Sequence, residues 1–305
     1  MNEPIVHVGY HKSGTTWLQR TLFARADLGY RRLRFTQDGV DVVRLHDFDF
    51  EAARCRDEMA RKVESCASQG LVPVVSSERL SGNPHSGGYD SRTLADRIAA
   101  ALPRARVLIG IREQRSMILS SYAQYVKAGG PCSLWSYLHA AYDARRPGFR
   151  FEHLCYDRLI AHYQRLLGRD RVLVQCYERF RAEPRTAGEE IAAFCGGKAP
   201  PPESGDVVLN RGLGAVTLTL LPWLNPFLKA DSLNGWSPYA VRWLAKPVRH
   251  LVESFDRVSP RLLKVTIDRR WRRILEAATH GRYEESNRRT AALTGCELAR
   301  WGYRL

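Results

Sequence analysis

An α/β fold with a parallel central sheet between layers of helices is what this sequence predicts, on three observations. Short apolar, β-branched runs recur between Pro4 and Tyr177: PIVHVG, LVPVVSS, RVLIGI and RVLVQCY. Stretches of helical period separate them, and strands that alternate with helices build right-handed crossover units, hence a parallel sheet covered on both faces. The chain has 305 residues, 44% hydrophobic and 26% charged, enough for one large domain with a sizeable core.

Taken in order, Pro4 to Gly9 reads as a buried strand and Thr16 to Ala26 as the helix after it. Phe48 to Ser68 is helical in pattern, and LVPVVSS is a second strand ending at Glu78. The polar, Gly-containing SGNPHSGGYD reads as an exposed loop, and Ser91 as the cap of a helix reaching Ala101. RVLIGI is a third strand and Gln114 to Lys127 a helix, with further helical patterns over Leu134 to Arg145 and Glu152 to Leu167. RVLVQCY is a fourth strand, followed by a helix around Thr186 to Phe194. Past PPESGD the strands stop. Residues 206–305 read as a C-terminal helical cap on the 1–205 α/β core, both within a single domain, 1–305.

The apolar stretch LGAVTLTLLPWLNPFL is short and broken by Pro222, Asn225 and Pro226, so no transmembrane segment is expected. A strand begins within a few residues of Met1, leaving no room for a secretory signal, and a cytoplasmic protein is the expectation. Seven cysteines without a C-x-x-C pair fit reduced packing thiols, and no metal site is assigned to them. The formal charge is +15, from 47 basic and 32 acidic residues, which favours anionic ligands. No recognition motif points to specific nucleic-acid binding.

In α/β sheets the ligand site lies at the carboxyl ends of the strands. At the first such end the sequence reads IVHVGYHKSGTTW. It comes close to the nucleotide-binding pattern G-x-x-x-x-G-K-[ST], which makes the expected architecture a three-layer P-loop-like fold. Gly9 and Gly14 have the spacing, but Thr15 stands where the lysine belongs, and the lysine is upstream at Lys12. A strand, a Gly-containing turn and a helix amino terminus together present backbone N–H groups to an anion. Gly14 allows close approach, Ser13, Thr15 and Thr16 add hydroxyls, and Lys12 adds charge.

The stretch HKSGTTWLQ resembles the 5′-phosphosulfate loop, PKSGTTW, of sulfotransferases that use 3′-phosphoadenosine 5′-phosphosulfate (PAPS). The match runs without a gap from Lys12 through Trp17, with His11 in place of proline as in bacterial-type members. The same family follows its third strand with an arginine and, eight positions on, a serine, both on the 3′-phosphate. Here Arg112 follows RVLIGI, and Ser120 is in place. YERFRAEP resembles the family's YEDL-x-x-DP segment, with Tyr177 and Glu178 in structural positions, and NRGLG offers Arg211 and Gly212 where relatives carry an R-K-G loop. The resemblance spans roughly residues 5 to 215.

It implies transfer of a sulfuryl group from PAPS, releasing PAP, to a hydroxyl or amine of a carbohydrate or small-metabolite acceptor, without a required metal. Lys12 would neutralise the leaving phosphate, and Trp17 is a candidate adenine-stacking face. The K-T-H-type histidine of the animal enzymes is missing. Glu78, in SSERL, matches the catalytic glutamate of carbohydrate-type members and is the expected base, the alternative being an ion pair with Arg79 or Arg112. His11, His46 and His85 are reserves, with His85 also a substrate-binding candidate on its loop, and His7 reads as core. Two other readings remain open here, a P-loop small-molecule kinase and a non-catalytic anion or glycan binder on the same fold. Basic helices such as RRWRRILEAA would equally suit a membrane surface or a heparin-like anion. Oligomeric state and acceptor identity have no legible signature.

Overall fold

A computed structural model of the chain describes residues 3–33, 42–140, 148–200, 213–228 and 241–305. Five strands are present: β1 (Ile5–Gly9), β2 (Tyr30–Leu33), β3 (Val72–Ser77), β4 (Arg106–Ile111) and β5 (Val172–Cys176). They form one parallel sheet in the order β2-β3-β1-β4-β5. Ile5 sits between Val74 and Arg106, so β1 is central and all five of its residues are buried. The four expected strands are in place, and β2 is an addition. Its sequence, YRRL, pairs with Val72 to Val75 at the sheet's edge, where Arg31 is exposed and half-buried Arg32 donates to Ser76 O at 3.5 Å.

The helices are α1 (Thr15–Trp17), α2 (Ala52–Ala67), α3 (Ser91–Ala101), α4 (Gln114–Lys127), α5 (Leu134–Leu138) and α6 (Tyr156–Leu167). They continue with α7 (Tyr177–Ala182), α8 (Pro184–Cys195), α9 (Ala215–Leu228), α10 (Arg242–Val258), α11 (Arg261–Thr279) and α12 (Glu284–Thr294). The helix expected over 16–26 is shorter: α1 passes into a π turn over Leu18–Leu22. The strand expected through Tyr177 ends at Cys176, and the chain turns straight into α7.

By internal contacts the chain forms two compact units. The first comprises Met1–Gln114, Phe151–Val208 and Tyr283–Leu305. On one face of its sheet Ile5, Val72, Val74 and Leu108 pack with Leu18, Leu22 and Phe23 after β1 and with Ala187 and Ile191 of α8. The period of two sends Val6, Val8, Val107 and Ile109 to the other face, where α2, α3 and α6 lie and α12 packs on α6. The second unit comprises Arg115–Arg150 and Leu209–Arg282. The division thus places the end of the sequence-derived helical cap, Tyr283–Leu305, with the sheet.

Within the second unit α9 and α10 run antiparallel. The Thr217 N–H and hydroxyl both donate to Asp256 Oδ2, at 3.0 and 2.9 Å. The proline-containing stretch expected to be broken is one helix with Pro222 and Pro226 inside it. Buried Asn225 donates to the carbonyls of Val126 and Gly130 at 2.9 and 2.8 Å. No described helix is long and apolar enough to cross a membrane. All seven cysteines are free thiols.

Candidate active site

Because the sheet is parallel, the carboxyl ends of β1, β3, β4 and β5 share one edge, and each leads into an expected site segment. After β1 the Tyr10 N–H still donates to Gly110 O at 3.0 Å, and then the chain folds back. Ser13 holds that fold: its N–H and its hydroxyl both donate to Tyr10 O, at 3.2 and 2.6 Å. The buried Ser13 side chain therefore braces the loop. Lys12 lies in the left-handed region, with φ 65°, as does Gly14, with φ 90°. The reversal makes Gly14 the cap of α1, whose carbonyl accepts from the Trp17 and Leu18 N–H groups at 3.0 and 3.3 Å.

This leaves the N–H groups of Gly14, Thr15 and Thr16 without a partner among the described residues. The Thr15 hydroxyl is buried and likewise unpartnered, whereas the side chains of Lys12 and Thr16 are exposed. Close packing beneath the loop explains two glycines. A Cβ on Gly9 would lie 2.2 Å from Thr15 Oγ1, and one on Gly110 would lie 2.7 Å from Ser13 Oγ. Trp17 is half-buried; its ring meets Phe180 edge-on at 4.9 Å, and it packs against the core.

Arg112 follows β4. Its Nη1 donates to Lys12 O at 3.3 Å and its guanidinium lies over the Tyr177 ring, 4.8 Å from the centroid. Its Nε is buried without a partner. The turn is fixed from behind, since Tyr156 OH donates to Arg112 O at 2.5 Å and Glu178 Oε1 accepts the Glu113 N–H at 3.0 Å. Tyr303 OH donates to the other Glu178 oxygen at 3.0 Å. Burial raises the Glu178 carboxyl above its usual range, against the pull of these donors and of Arg112. Sequence reasoning missed Tyr156 and Tyr303, which carry no motif, and saw Tyr177 and Glu178 only as structural. Ser120 lies on α4, in the second unit.

Glu78 opens a 3₁₀ turn, Glu78–Ser81, directly after β3. The Ser81 hydroxyl ties that turn down through Glu78 O at 3.0 Å and Gly9 O at 3.4 Å. Arg79, one expected partner of Glu78, is paired with Asp90 instead. Neither Arg79 nor Arg112 bonds the Glu78 carboxylate, which has no ion pair among the described residues. Burial raises its carboxyl above the usual range, and the nearby Lys12 charge pulls it back.

The loop carrying His85 is less exposed than its polar sequence implies, because Ser81, Gly82, Pro84 and Gly88 are buried. His85 itself is half-buried, and desolvation lowers its pKa to about 4. His11 is buried and lowered to about 3, by desolvation first and then by the charges of His85 and His153. His7 is core as expected, its Nδ1 2.8 Å from Ser76 Oγ. His46 caps an exposed turn before α2. Arg211 and Gly212 lie outside the described residues. Among the described residues no three His, Cys, Asp or Glu side chains are grouped so as to hold a metal ion.

Three solved structures are similar in fold. A sulfotransferase from Alicyclobacillus acidocaldarius is 18% identical over 69% of this chain and 87% of its own, with TM-score 0.44. The sulfotransferase domain of the Synechococcus PCC 7002 olefin synthase is 16% identical over 85% and 98%, with TM-score 0.39. Mouse sulfotransferase SULT7A1, complexed with PAP, is 12% identical over 95% and 88%, with TM-score 0.39. No curated protein matches the sequence. The sequence profile of the sulfotransferase family matches residues 4–201, which carry the whole sheet, the β1 loop, Glu78 and Arg112. That match covers well over half of the chain, which belongs to the sulfotransferase family and is a transferase.

Proposed function

We propose that the protein transfers the sulfuryl group of PAPS, by in-line displacement, to a hydroxyl or amine of a carbohydrate or small-metabolite acceptor and releases PAP. The observation that carries this reading is the set of donors around the β1 loop. Three N–H groups, the buried Thr15 hydroxyl, the Lys12 ammonium and the buried Arg112 Nε lack a described acceptor. Buried donors without partners are costly, and the anionic oxygens of a bound ligand would supply the acceptors they lack.

When bound, PAPS supplies an activated sulfuryl group on a phosphate that gains negative charge as it leaves. The chain's part is to have fixed positive charge and N–H dipoles in place for that charge. Lys12 and the N–H groups of Gly14 to Thr16 would hold the 5′ end, with Thr15 and Thr16 adding hydroxyls. Ser13 serves by keeping the loop folded. The family resemblance assigns the 3′-phosphate to Arg112 and Ser120, and Tyr177, Glu178 and Tyr156 hold the Arg112 turn. A guanidinium suits a phosphate because its fork can bond two oxygens.

Glu78 is the proposed base for the acceptor's proton. Burial makes its carboxylate more basic than an exposed one, and the Lys12 charge offsets part of that rise. His85, held neutral by burial, can accept or donate one hydrogen bond on the acceptor side. The test is calorimetric titration with PAP and, separately, with ATP and magnesium. Tight PAP binding that Arg112→Ala weakens supports the reading, and preference for ATP with magnesium would overturn it.

A further inference from the structure

We propose that helices α10 and α11 seat this protein on an anionic membrane surface. Trp243, Leu251, Phe255 and Val258 of α10 are 76, 71, 53 and 80% exposed, and Leu262 at the start of α11 is 82% exposed. At about 100° per residue, the four α10 side chains fall within an arc of about 120°. The helix is held from another side, through buried Val252 and through Asp256, which binds Thr217. Large apolar side chains exposed singly are ordinary, but an aligned row along one helix marks an interaction surface.

The charges beside that row identify the partner. Lys246 and Arg257 border the apolar arc on the α10 wheel, where long basic side chains can lay their stems along an apolar surface. On α11 Trp271 and Leu275 are buried inward, while Arg269, Arg270 and Arg273 share the outward side with Leu262. These three arginines have no carboxylate partner among the described residues. Residues 243–282 hold ten Lys and Arg against four Asp and Glu. Trp, Leu and Phe inserted at headgroup depth, with arginines facing anionic lipid, account for the apolar row and the unpaired charge together. An apolar protein partner would account for the row alone. With no described helix able to span a bilayer, the mode is to lie on it.

The test is co-sedimentation of the full chain with vesicles of phosphatidylcholine, with and without phosphatidylserine. The protein is expected to partition onto the phosphatidylserine vesicles and to leave them as salt is raised. Leu251→Glu/Phe255→Glu and, separately, Arg269→Glu/Arg273→Glu should each lower partitioning at least about tenfold. All four sites are on the surface, so an unchanged circular dichroism spectrum should accompany that loss. The proposal is overturned if the wild type stays in the supernatant or if both variants partition like it. It is equally overturned if the Leu251→Glu/Phe255→Glu change acts by dissolving a dimer, because the row is then covered by a second copy.

Discussion

Lys12 holds a left-handed backbone, which costs an L-residue about 1–2 kcal/mol relative to glycine. Strain of that size is kept where the side chain is needed in one place. Lys12→Gly should therefore raise stability by about 1 kcal/mol in chemical denaturation while sulfuryl transfer falls about 10²–10³-fold. Lys12→Ala should lose the same activity with no gain in stability, which separates charge from strain. Glu78 supplies the companion prediction. A carboxyl raised by burial must lose its proton to act as a base, so the acid limb of the pH–kcat/KM profile should lie above the usual 4.5 of a glutamate. In Glu78→Gln that limb should vanish and kcat should fall, with PAP affinity unchanged; a limb that survives the substitution assigns the base elsewhere.

The β1 loop works as an element because β1 and β4 bring glycines up against it. Gly9→Ala forces Thr15 to move and Gly110→Ala forces Ser13 to move, so each should destabilise by about 1–3 kcal/mol and weaken PAP binding in the same calorimetric titration. Most of this element was legible beforehand, since β-branched runs mark strands whatever their neighbours do and the strand–turn–helix order marks the loop. What escaped was set by tertiary context. YRRL has no alternation to read, and it is a strand because Val72 to Val75 offer it a free edge. The turn at 84–86 reads as polar surface, yet its histidine is half-buried in a loop whose Ser81, Gly82, Pro84 and Gly88 are themselves buried. Tyr177 and Glu178 read as structural, but nothing in the sequence says that they hold Arg112, or that Tyr303 in turn holds Glu178.

At the scale of the whole molecule, the sheet unit keeps four histidines neutral by burial. His7 and His11 are lowered to about 3, and His85 and His153 to about 4, from 6.5. Their folded pKa values lie below the unfolded one, so the unfolded chain binds the extra protons, and stability falls as pH drops below 6.5 toward those values. Each histidine should remove about 1.4 kcal/mol per pH unit across that window, so denaturant midpoints should fall steeply between neutrality and about pH 4. A double His11→Gln/His153→Gln variant should show a shallower pH slope, and an unchanged slope would mean that these rings do not govern acid unfolding. The same sheet sets a lysine, a carboxylate and an arginine at one edge, the proposed seat of sulfuryl transfer. The direct test is to supply sulfur-labelled PAPS with a metabolite extract and follow the label by mass. The wild-type protein should move the label to a hydroxyl-bearing product and release PAP, and Lys12→Ala at saturating PAPS should not. Label transferred by Lys12→Ala at the wild-type rate would contradict the account.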